Sequence, residues 1–293
     1  MARPSPASGL RGTIVFGHAN GFPAGTYRVL FEAWRAAGWR VEAVDKFGHD
    51  PRYPVGGNWP KVREQLLDFI DQVSPDTPVH LVGHSLGGYL GLLAACRRPA
   101  RVASLLLLDS PVLAGWRAHS VQVMKLTGLI NRVSPGRVSR TRRWQWPSAD
   151  AAHAHFAAKH AFARWDPRVL ADYIAAGMEP DPDAGAPGAV RLAFRREIET
   201  RIYDTLPHRL GTLIHRHPPA GPVGFIGGTQ STEVRQVGLA ATRALTRGRV
   251  EWIEGSHLYP MERPDETAAA VLRWLDGVQT GAGGAGGAAV QST

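Results

Sequence analysis

The chain has 293 residues, 44% hydrophobic and 20% charged, which excludes a peptide, a fibre or a disordered chain and leaves room for a sizeable core. Lysine plus arginine number 34 against 25 acidic residues, a net charge of +9 that on its own would admit nucleic acid as a partner. Only Lys46, Lys61, Lys125 and Lys159 are lysines, however, and the arginines scatter along an alanine- and glycine-rich chain without a nucleic-acid motif, so no such partner is expected.

The first predicted element is a buried strand at TIVF, residues 13–16, followed by the loop GHANGFPAGTY. From Thr26 to Ala37 the apolar residues Val29, Leu30, Ala33 and Trp34 fall at helical spacing, with Gly38 at the place of a C-terminal capping glycine. WRVEAVD then alternates as a strand, and a helix is predicted over Val62 to Val73, ending at Ser74-Pro75. PVHLVG (78–83) reads as a strand, 85–97 as a helix, and RVASLLLLD (101–109) as a nearly all-apolar strand of the kind buried on both faces.

Between Ser110 and Gly221 this alternation stops, and helical segments separated by Pro/Gly-rich breaks take over, with no strand of similar quality. Strands return at PVGFIG (222–227) and RVEWIEG, flanking a helix near 233–246, and a last helix starts near Asp265. The predicted organisation is therefore an α/β core from 1–110 and 221–278, an inserted helical segment at 111–220, and a disordered Gly/Ala-rich tail at 279–293. Strands alternating with helices imply a mostly parallel twisted sheet.

Cys96 is the single cysteine, which rules out an internal disulfide or a zinc site of several thiolates and fits a reducing compartment. The opening MARPSPASGLRG has no apolar signal-like stretch, and no run reaches about eighteen apolar residues, so the expectation is a cytoplasmic protein without membrane contact.

In open α/β sheets ligands gather beyond the carboxyl ends of the strands. After the strand at 78–83 comes GHSLG, residues 83–87, a match to G-x-S-x-G placed where that motif needs to be, between an apolar strand and a helix. Together with HANGFP (18–23) and GSHLYPMERP (255–264), this makes the chain resemble the α/β-hydrolase superfamily outside the inserted segment and the tail. The resemblance implies an eight-strand-like sheet whose usual N-terminal hairpin is short or missing. It also implies that the insertion after the strand ending at Asp109 is a helical cap.

Residue by residue, the resemblance makes Ser85 the nucleophile and His257 its base, in the chain order of this superfamily. His84 reads as a packing residue. Many members carry their acid in a stretch Gly-Gly-Thr-x-Asp; here the run is GGTQSTE, with Ser231 at the acidic position and Glu233 two residues on. Some members take the acid from the end of the preceding strand, where Asp109 follows four leucines. An aspartate there is costly to bury without a partner such as an imidazole N–H. Asp109, Glu233 and a dyad without an acid stay open at this point.

The oxyanion hole is assigned to the Leu86 N–H plus one donor from HANGFP, Asn20 or Phe22 according to how that loop aligns. His153/His155 and His215/His217 make no convincing metal site, and neither metal nor cofactor is expected. Trp116, Trp144, Trp146 and Trp165 read as packing within the insertion, and Arg132, Arg137, Arg140, Arg142 and Arg143 as a solvated face. The resulting expectation is a hydrolase acting on a small-molecule acyl substrate, with ester cleavage first. An acyltransferase, or a ligand-binding protein on the same scaffold with little turnover, are the alternatives. Oligomeric state is not encoded legibly.

Overall fold

A computed structural model describes residues 9–112, 136–208 and 210–284. Its strands are β1 (Thr13–Gly17), β2 (Arg40–Ala43), β3 (Val79–His84), β4 (Val102–Leu108), β5 (Gln145–Trp146), β6 (Met178–Pro180), β7 (Val190–Leu192), β8 (Val223–Gly228) and β9 (Val250–Ile253). Helices α1 (Arg28–Ala36), α2 (Pro60–Val73) and α3 (Leu86–Arg97) connect the first four strands. Between β4 and β8 lie α4 (Gly136–Thr141), α5 (Ala149–Ala157), α6 (Pro167–Gly177), α7 (Arg196–Asp204) and α8 (Leu210–Arg216). The C-terminal part holds α9 (Thr232–Val237), α10 (Ala240–Thr246), α11 (Tyr259–Glu262) and α12 (Pro264–Gly284).

Six strands form one sheet in the order β2-β1-β3-β4-β8-β9, and every neighbouring pair is parallel. This is the mostly parallel α/β sheet the sequence predicts, with six strands among the described residues rather than eight. Because side chains alternate across a strand, β4 sends Leu106 and Leu108 to one core and Leu105 and Leu107 to the other, all at 1% exposure or less. Helices α1 and α12 pack together on the first face, and α2 and α3 on the second. Burying each of those leucines stabilises the fold by roughly 2 kcal/mol, which fixes β4 at the centre of the sheet.

The segment between β4 and β8 differs from expectation in one respect. Besides helices it contains a three-stranded antiparallel sheet, β5-β7-β6. These strands are two or three residues long, too short for a period-2 pattern to register in sequence. The helix predicted near 233–246 is broken in two at Gly238, which takes φ +78°. α12 runs to Gly284, into the stretch expected as a disordered tail, while 285–293, 1–8 and 113–135 lie outside the described residues. Among the described residues no helix is long and apolar enough to cross a membrane.

Candidate active site

The turn from β3 into α3 is built on close backbone approach. A Cβ on Gly87 would lie 2.0 Å from the Gly17 carbonyl oxygen, and one on Gly83 would lie 2.4 Å from Gly87 backbone atoms. The chain can therefore bend sharply here, and Ser85 sits at the bend with φ +53° and ψ −111°, a conformation costing about 1–3 kcal/mol for a residue other than glycine. The fold holds it there: Ser85 N–H donates to Leu108 O at 3.0 Å, and its own carbonyl accepts from the Ser110 hydroxyl at 3.0 Å. The serine stays partly exposed beyond the carboxyl end of the sheet, with the first turn of α3 behind it.

His257 lies in the loop between β9 and α11, and its Nδ1 is 2.7 Å from Asp109 Oδ2. Asp109 follows β4 at φ +47° and is buried, and its carboxylate accepts three hydrogen bonds. Oδ1 accepts the Gly228 N–H at 2.7 Å, and Oδ2 accepts the Ser231 hydroxyl at 2.5 Å as well as the imidazole N–H. Glu233 Oε2 stands 3.8 Å from the same nitrogen, outside hydrogen-bonding distance. Burial alone would lower the His257 pKa. The hydrogen bond to Asp109, the charge of Glu233 and the charge of Asp109 outweigh it and raise the imidazole above its ordinary value. With Nδ1–H committed to Asp109, Nε2 is the nitrogen that no described residue engages. Asp109, Glu233 and His257 are also the one three-member group of possible metal ligands among the described residues. In the neutral ring that donates Nδ1–H to Asp109, a metal could bind this nitrogen only by displacing that proton.

The loop after β1 is pinned by two buried histidines and a tyrosine. Phe47 N–H donates to His18 Nε2 at 2.9 Å, so Nδ1–H donates to Ala19 O at 2.8 Å, and burial pushes this neutral ring down to about 4. Ala19 N–H donates to the Tyr27 hydroxyl oxygen at 3.1 Å, Tyr27 donates in turn to His84 Nδ1 at 2.8 Å, and His84 Nε2–H donates to the His257 carbonyl at 2.9 Å. His84 is thus not merely a packing residue. It joins the loop of Ala19 to the loop of His257, and burial holds its pKa well below the ordinary value, so it stays neutral. Tyr27 had no signal in sequence, since its two partners come from the loop after β1 and from the end of β3. Of the two loop donors considered, the Phe22 N–H is already bonded to Ala19 O at 3.2 Å, whereas the Asn20 N–H has no acceptor among the described residues. The Leu86 N–H is likewise uncommitted there.

The weaker sequence signals divide. Trp146 and Trp165 are buried in the core shared with α1 and β1, as packing predicts, and Trp116 and Arg132 lie outside the described residues. Arg142 departs from the expected solvated face: its side chain is 15% exposed and pairs with Glu199 at 2.6 Å. Glu199 belongs to α7, whose backbone carbonyl at that residue accepts the Asn20 Nδ2–H at 3.0 Å, so this buried pair lies directly behind the loop of Asn20.

The alpha/beta hydrolase family model matches residues 14–270. Monoglyceride lipase of Mus musculus is 30% identical over 136 residues, covering 44% of this chain and 45% of that protein. "Probable esterase PIR7A" of Oryza sativa subsp. indica is 36% identical over 98 residues, covering 32% and 37%. The match thus takes in less than half the length of either curated relative. Among solved structures, the thioesterase domain from the curacin biosynthetic pathway superposes with a TM-score of 0.68 at 20% identity, over 89% of this chain and 91% of that one.

Proposed function

The chain belongs to the alpha/beta hydrolase family, and on that footing we propose that it is a serine hydrolase of carboxylic esters or related acyl compounds. The observation that carries the proposal is the 2.7 Å hydrogen bond from His257 to the buried Asp109, beyond the same end of the sheet as a serine held at positive φ. Similarity to proteins named monoglyceride lipase and esterase supports the ester linkage.

Ser85 Oγ adds to the substrate carbonyl while its proton passes to His257 Nε2. Asp109 keeps the ring in the tautomer that leaves Nε2 free and compensates the imidazolium charge. The N–H groups of Leu86 and Asn20 receive the oxyanion. The carbonyl–oxygen bond then breaks, the leaving alcohol takes the Nε2 proton, and water repeats the sequence on the acyl-enzyme. The connection between β4 and β8 serves as the cap that selects the substrate.

Covalent labelling with a fluorophosphonate, read by intact mass, tests this beside turnover of short-chain p-nitrophenyl esters. Labelling is expected in the wild type and absent in Ser85→Ala. Asp109→Asn should lower turnover by about 10³- to 10⁴-fold. Full turnover in Asp109→Asn with none in Glu233→Asn would transfer the acid role to Glu233. Folded protein that takes no label would leave a scaffold that holds a ligand without activating its serine.

A further inference from the structure

Two carboxylates flank the imidazole, and the stretch after β8 holds the second. Glu233 Oε2, on a side chain 43% exposed, lies 3.8 Å from His257 Nδ1, against 2.7 Å for the buried Asp109. Its direction is fixed by neighbours: Thr232 Oγ1 donates to Oε2 at 2.9 Å, and the Ser231 hydroxyl lies 3.4 Å from it. Ser231 itself donates to Asp109 Oδ2 at 2.5 Å and accepts the Val234 N–H at 3.1 Å. The residue in the expected acidic position is therefore a hydrogen-bond donor set between two acids.

Building on the hydrolase reading above, we propose that Glu233 is a second positioning carboxylate for His257: it adds charge beside the imidazolium and accepts the Nδ1–H when Asp109 is neutralised. When Ser85 attacks, its proton goes to Nε2 and the ring becomes positive. The Nδ1 proton stays on nitrogen, and both carboxylates stay ionised. A negative charge 3.8 Å away acts on that charged state and hardly on the neutral ring, which is the condition for speeding the step rather than only tightening binding. The other groups near the ring do not duplicate this. His84, 5.1 Å away between ring centroids at the end of β3, is neutral. Glu262 of α11 is spent on the Ser256 N–H and hydroxyl and pairs with Arg164 at 3.2 Å.

A purely structural Glu233, favouring the first turn of α9, would alter stability alone. The discriminating readout is kcat/KM against pH for wild type, Glu233→Gln and Glu233→Ala, with p-nitrophenyl esters. Because His257 must be deprotonated to act, its acid limb should fall by about half a pH unit or more in both variants, and the plateau should drop roughly three- to tenfold. In an Asp109→Asn background, Glu233→Gln should remove at least about a further tenfold. A limb that stays at the wild-type position, or an Asp109→Asn enzyme indifferent to Glu233→Gln, overturns the proposal. Glu233 lies at the surface, so its single variants fold and decide the question even where Asp109→Asn does not. Failure of the hydrolase reading would look different: Ser85→Ala would keep wild-type turnover whatever residue 233 is.

Discussion

Replacing Tyr27 by phenylalanine removes one oxygen from the interior and leaves two polar groups without partners. The ring would keep its packing against Phe16, at 4.6 Å between centroids, and against Phe31. The Ala19 N–H and His84 Nδ1 would each lose their only acceptor or donor at a position 2% exposed or less. An orphaned buried group costs about 1–3 kcal/mol, so the two together should cost about 2–6 kcal/mol. For a domain of this size that is a fall in Tm of roughly 3–10 °C. The same oxygen ties the Ala19 loop to the His257 loop through His84, so kcat should fall while KM stays close to wild type. Thermal unfolding at pH 7.5 and ester turnover measure both effects. Tyr53→Phe is the control, because the Tyr53 hydroxyl bonds Asp68 at the surface and should shift Tm by about 1 °C or less. A Tyr27→Phe protein melting within about 1 °C of wild type would refute the tether.

Two further outcomes follow from the same part of the fold. The folded-state pKa of His18 lies at about 4, below its ordinary 6.5, so as pH falls the unfolded chain takes up the proton first. Stability should be complete above pH ~6.5 and decline down to pH ~4, with a total loss near 3 kcal/mol from this residue. Urea midpoints at pH 7.5 and 4.5 should converge in His18→Gln, and an equal pH dependence in the two proteins would count against it. Gly87→Ala would press a methyl group against the Gly17 backbone at 2.0 Å, with no flexible side chain to yield, and should abolish folding. Gly57→Ala, with nothing within 4 Å, should express and melt like wild type. Soluble, wild-type-like Gly87→Ala would mean that the turn opens more easily than its packing implies.

What the sequence made legible was local or periodic. Four consecutive leucines in β4, the glycines around Ser85 and the histidine after β9 each carry their signal within a few residues, and these place the sheet and the ends of its strands. What stayed hidden depends on pairs that only tertiary structure brings together. Tyr27 meets partners 8 and 57 positions away, and His84 meets a carbonyl 173 positions away, so no window of sequence contains the network. Arg142 reads as one more surface arginine until α7 sets Glu199 against it.

The acid shows this dependence most fully. In sequence, GGTQSTE looks like a site that has lost its aspartate. In the fold, β4 and β8 are parallel neighbours with Leu108 opposite Ile226, and the Asp109 N–H continues that ladder to Ile226 O at 2.8 Å. The end of one strand and the turn after the other therefore share one small volume beneath His257. A carboxylate can enter that volume from either side, provided the residue on the opposite side is small and can donate a hydrogen bond. Ser231 meets both conditions, and an aspartate there would set a second negative charge against the buried Asp109. Ser231 and the carboxylate of Asp109 are thus complementary in space, although 122 residues separate them in sequence.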